Sequence, residues 1–140
     1  MRKRSLLAVG VALLGLALAA CTPDEANHLK AVNDFRVANH VEQLGWDDGM
    51  YNSARDWSQH LADVGQLSHP EDLAGNLHPP SGWKIVGQNV AMAPSLVGAM
   101  TALENSPHHR ENLLNPEFHK VAIGVIHQGG EYWITEDFLG

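Results

Sequence analysis

The amino-acid sequence predicts an α+β fold, helices first and antiparallel strands last, for the 120 residues that follow position 20. Three observations predict it. Two stretches in the first half carry apolar side chains at the spacing of an α-helical turn. Ser106-Pro107 and Asn115-Pro116 bracket a further short helix. The chain closes on VAIGVIHQGGEYWITEDF, two β-branched and aromatic runs joined at Gly129-Gly130, which is a hairpin signal.

Taken in order, Leu29, Val32, Phe35 and Arg36 recur at helical spacing in HLKAVNDFRVANH and predict a first helix near 27–39. Asp47 supplies a cap for a second helix, along which Met50, Ala54, Trp57, Leu61 and Val64 form one apolar face, and Gly65 stands where a terminating glycine belongs. Residues 66–94 hold seven Gly or Pro and little periodicity, so they read as a long loop region. Trp83, Ile85, Val86 and Val90 inside it argue that this loop is ordered. Ser95 caps a third helix over 96–104, and Ser106 fits the N-cap of the short helix that begins at Pro107.

The first residues carry a different kind of information. Met1-Arg2-Lys3-Arg4 is followed by 16 uncharged residues, Ser5 to Ala20, an arrangement that fits a secretory signal and is too short to span a bilayer comfortably. Leu18-Ala19-Ala20-Cys21 resembles the bacterial lipobox, in which the cysteine is acylated and becomes the mature N-terminus. Simple cleavage near Ala20 and an uncleaved anchor are the alternatives. Cys21 is the sole cysteine, so lipidation accounts for a thiol that has no partner in an exported chain. The expected organisation is a signal peptide over 1–20, a lipidated Cys21 with a polar tether over 21–27 (TPDEAN after the cysteine), and one domain over 28–140. A diacylglyceryl group would hold the chain to the extracytoplasmic side of a membrane.

Charge excludes one class of partner. Beyond residue 20 the chain has six Lys and Arg against 16 Asp and Glu, a charge near −10 with its nine histidines neutral. Such a surface argues against nucleic acid and against docking on anionic lipid.

Four blocks then resemble one family. LGWDDGMYNSARDWSQHLADVGQLSH, VGQNVA, NSPHHRENLLNPEF and the terminal VAIGVIHQGGEYWITEDF are similar, in order and over about residues 29–138, to the CAP superfamily (SCP domain). That family is named for cysteine-rich secretory proteins, antigen 5 and pathogenesis-related proteins. The resemblance implies an α-β-α sandwich with a small antiparallel sheet and a shallow cleft, where many members place two His and two acidic residues and some bind zinc. It maps the two histidines onto His69 and His109, and the Glu of the family's Gly-Glu-Asn block onto Gln88.

The residues also speak for themselves. His69 lies on a loop after a helix end, where a plain surface histidine is the alternative to a cleft residue. His109 occupies the third position of its helix, where the positive end of the helix dipole favours the neutral imidazole that can accept a hydrogen bond or bind a metal. Its neighbour His108 is the alternative. Gln88 can hydrogen-bond but can neither take a proton nor balance a metal's charge, which weakens a zinc site on His69 and His109. Trp46, Trp57 and Trp133 read as core, and Trp83 as cleft edge or core. Two functions follow as expectations. The first is a membrane-tethered, non-catalytic binding module whose cleft (His69, Gln88, His109) takes a lipid, sterol-like or peptide ligand. The second is a zinc-dependent hydrolase or peptidase of the cell envelope, for which Gln88 leaves no obvious base.

Overall fold

The computed structural model describes residues 21–140, so the expected signal peptide over 1–20 lies outside the described residues. The elements are α1 (Pro23–Ala38), β1 (Gly45–Trp46), α2 (Asp48–Val64), α3 (Leu73–Leu77), β2 (Val86–Ala93), α4 (Leu96–Asn105), α5 (Pro107–Leu114), β3 (Lys120–Gln128) and β4 (Glu131–Leu139).

The expected tether over 21–27 is instead the first turn and a half of α1. Thr22 and Glu25 form a capping box: the Thr22 hydroxyl accepts from the Glu25 amide at 3.3 Å, and the Glu25 carboxylate accepts from the Thr22 amide at 2.8 Å. Pro23 fills the first helical position, where no amide hydrogen is needed. The polarity of TPDEAN belongs to a helix start, and the first helix begins at Pro23 rather than near 27. In α2 the Asp47 side chain caps the Met50 amide, and Gly65 closes the helix in the left-handed conformation.

The sheet is mixed, with strand order β1-β3-β4-β2. β2–β4 and β3–β4 are antiparallel, while the two-residue β1 adds in parallel to β3, a departure from the antiparallel sheet expected. Gly129 and Gly130 both have positive φ, the conformation that a tight two-residue hairpin demands. Ser95 caps α4 through the Gly98 amide, whereas Ser106 precedes α5 without a side-chain cap bond.

Side chains alternate across the sheet. Val121, Ile123, Val125, Ile134 and Phe138 pack with Val32 of α1, Ala99 and Leu103 of α4 and Leu113 of α5. The opposite side of the sheet, with Ala122, Val90 and Trp133, packs with Met50, Ala54, Leu61 and Ala62 of α2. The result is the expected α-β-α sandwich. α2 lies so close to β3 that a side chain at Gly124 would meet the Ala54 carbonyl, and the Ser58 hydroxyl donates to the Gly124 carbonyl at 2.9 Å.

The long loop region contains α3 and all of β2. Its Gly and Pro content masks a strand that sits at the sheet edge with a neighbour on one side only. That edge positions the residues of interest.

Candidate functional site

Gln88 and Asn89 are successive residues of β2, so they point to opposite faces of the sheet. They pair across the ladder with Asp137 and Glu136 of β4, and all four side chains are buried.

On the α2 side, Gln88 Nε2 donates to Asp137 Oδ1 at 2.8 Å. The amide oxygen of Gln88 then faces His69 Nδ1 at 2.7 Å. Because that oxygen can only accept, His69 carries its proton on Nδ1 and turns Nε2 outward as an acceptor when neutral. The loop that bears His69 is held by Trp57, whose indole N–H donates to the Ser68 carbonyl at 2.9 Å. Asp137 is 0 % exposed, and its second oxygen has no hydrogen-bond partner. Burial pushes its pKa up to about 7; the Gln88 hydrogen bond opposes that shift and the charge of Glu136 adds to it.

On the other face, Glu136 accepts from His28 Nε2 of α1 at 2.7 Å and from Asn89 Nδ2 at 2.9 Å. Asn89 Nδ2 also donates to the His109 carbonyl at 3.1 Å, and Asn112 Nδ2 donates to Asn89 Oδ1 at 2.9 Å. These bonds fix α5 against the edge strand and thereby set His109. His109 is half-buried while His108 is exposed. Burial lowers the pKa of His109, the charges of His69 and His108 lower it further, and Glu136 opposes them. His69 and His109 thus approach the same edge from two sides, and Gln88 lies between Asp137 and His69.

Among the described residues no three His, Cys, Asp or Glu side chains converge on a point that could hold a metal ion. His69 gives its Nδ1–H to Gln88 and keeps Nε2 free, and Gln88 brings a neutral amide rather than a charged ligand to the pair. What the arrangement offers is an imidazole, His69, whose Nε2 can accept a hydrogen bond, with His109 near enough for the two charges to interact.

The residues that sequence reasoning missed are His28, Glu136 and Asp137. A signal was available in Thr135-Glu136-Asp137-Phe138: adjacent acidic residues inside an apolar strand, where a sandwich buries both faces, need dedicated partners. Trp133 is core. Trp83 is 41 % exposed and lines a surface groove with Pro80, His119, Lys120 and Leu139.

The chain matches the CAP family, described as the cysteine-rich secretory protein family, over residues 29–138. YkwD of Bacillus subtilis (strain 168) is 27% identical over 122 residues, which is 83% of this chain and 47% of that protein. The chain therefore spans about half the length of this relative. An extracellular protein of Bacillus anthracis containing an SCP domain is 26% identical, with a TM-score of 0.72 over 86% of this chain and 44% of its own. An outer surface protein of Borrelia burgdorferi, 17% identical, shares the fold with a TM-score of 0.77, over 86% of this chain and 95% of its own. The family match covers most of the described residues, His69, Gln88 and His109 among them, and this chain belongs to the cysteine-rich secretory protein (CAP) family.

Proposed function

We propose that this chain is a membrane-tethered, extracytoplasmic CAP-domain protein that works as a non-catalytic binding module, its cleft at His69, Gln88 and His109 taking a lipid, sterol-like or peptide ligand. One observation carries the reading: Gln88 stands between His69 and Asp137 with both ends of its amide engaged. An amide cannot shuttle a proton. Asp137, whose pKa burial pushes up to about 7, is fully buried behind it. The Nε2 of His69 and the ring of His109, whose pKa burial lowers, suit a ligand that presents hydroxyl or amide donors.

Export and anchoring are supported by the signal-like segment that ends at Cys21 and by the extracellular setting named for the Bacillus anthracis relative. No helix among the described residues is long and apolar enough to cross a membrane.

The test is purification of the chain from membranes, followed by solvent extraction and mass spectrometry of what it carries. Parent protein is expected to retain an amphiphile or peptide that His69→Ala with Gln88→Leu releases. Parent protein that carries no ligand and binds none from a panel of sterols, fatty acids and envelope peptides overturns the proposal. Zinc-dependent heat in a calorimetric titration of the parent, absent in His69→Ala, would favour the hydrolase instead.

A further inference from the structure

α1 and the strands run so that one end of the molecule gathers Cys21, the hairpin tip and the start of α4. Glu25 accepts from the Val125 amide of β3 at 3.2 Å, three residues before that strand ends, while Arg36, at the far end of α1, reaches Phe118 just before the same strand begins. The Thr22 amide donates to the Glu25 carboxylate at 2.8 Å, which places Cys21, the preceding residue, beside Glu25. Four residues before Glu25 lie roughly 6 Å further along the helix axis, towards the hairpin tip.

Apolar surface collects at this same end. Val97 is 77 % exposed and Met92 44 % exposed, and Met92 faces Trp133 across the β2–β4 ladder. A groove of about 300 Å³ between α1 and α4 is lined by Ala31, Leu96, Val97 and Met100, with Asn27 and His28 at its wall. The capping box leaves no slack, since Thr22 alone separates Cys21 from the first helical residue. A lipid on Cys21 would therefore hold this end within about a residue's reach, roughly 4 Å, of headgroup depth.

We infer that the end of the domain formed by Cys21, Met92 and the Leu96–Val97 start of α4 is a docking surface for a zwitterionic bilayer, against which the acylated protein rests in a fixed orientation. The inference rests on the proposed acylation of Cys21. Zwitterionic lipid is specified because the domain carries a charge near −10 and anionic headgroups would repel it. The contact is apolar, with Val97 and Met92 entering the interface. In this orientation the Gln88–Asp137 pair stands five strand residues from the Ala93 end of β2, roughly 16 Å above the contact. The cleft then opens to the side of the membrane rather than into it.

Hydrogen exchange read by mass spectrometry tests this on the full chain, acylated and reconstituted in phosphatidylcholine vesicles, against the Cys21→Ser chain in solution. Amides of residues 92–97 are expected to exchange several-fold more slowly on vesicles, while those of the His69 loop, 66–72, are unchanged. Val97→Asp is expected to abolish that protection yet still sediment with vesicles, because its exposed position leaves folding intact. Protein that sediments, with lipid on Cys21 by mass, but shows no protection at 92–97 overturns the docking surface and leaves the anchor standing. Protein that carries no lipid and does not sediment overturns both. Equal protection of 92–97 in concentrated Cys21→Ser protein would assign the surface to a second copy of the chain and also overturn the inference.

Discussion

Asp137 shows how a single buried carboxyl orders the side chains around it. It orients the Gln88 amide, and the amide in turn chooses the tautomer of His69. The same residue leaves a signature in stability. A carboxyl in the unfolded chain loses its proton near pH 4, while folded Asp137 keeps it up to about 7. Between those limits the native state binds more protons, so this group makes stability fall as pH rises from about 4 to about 7, and its destabilisation is complete above 7. Asp137→Asn keeps an acceptor for Gln88 and removes the titration. The variant is expected to gain on the parent progressively across that window in thermal denaturation at stepped pH; a difference that does not change with pH would refute the assignment. Gln88 and His109 are legible as candidates in the sequence itself, one from the block resemblance and the other also by counting from a helix cap. Asp137, Glu136 and His28 are not, because their partners come from 49, 47 and 108 residues away in the chain.

The helices show where periodicity misleads. α1 buries Glu25, His28 and Arg36 alongside Val32, so its buried face is largely polar and its first turn reads like a linker. Arg36 is held between α1 and the end of α5: Nε donates to the Glu42 carbonyl, Nη1 to those of Leu113 and Asn115, and Nη2 to that of Phe118. Those carbonyls include the last turn of α5, which would otherwise be unsatisfied. Arg36→Leu removes the guanidinium donors from these carbonyls, of which Asn115 keeps the Phe118 amide, and is expected to cost about 3 kcal/mol or more by urea denaturation. A loss under about 1 kcal/mol would show that water replaces the guanidinium there. β2 is hidden for a different reason. Its alternation is blurred because both faces are buried, and the Gly and Pro around it read as loop. By contrast α2, α4 and the terminal hairpin are readable almost to the residue, since cap or turn residues mark their limits.

For the whole molecule, the proposed anchor and the fold are separable. Among the described residues the Cys21 thiol contacts the Thr22 carbonyl at 3.6 Å, and Cys21 lies outside the capping box. Cys21→Ser is therefore expected to move the protein from the membrane to the soluble fraction while changing unfolding free energy by less than about 0.5 kcal/mol. A large loss of stability in that variant would mean that the thiol, and not a lipid, is what the position serves. The sequence alone determined the α+β class, the family, the order of helices and hairpin, and the candidacy of His69 and His109, since each rests on contacts within a few residues or on an ordered block. Only the tertiary structure decided that the polar TPDEAN stretch is helix, that β2 is the edge strand and that Asp137 stands behind Gln88. Those depend on which groups are taken out of water together, and pairing across a sheet joins residues that no local pattern links.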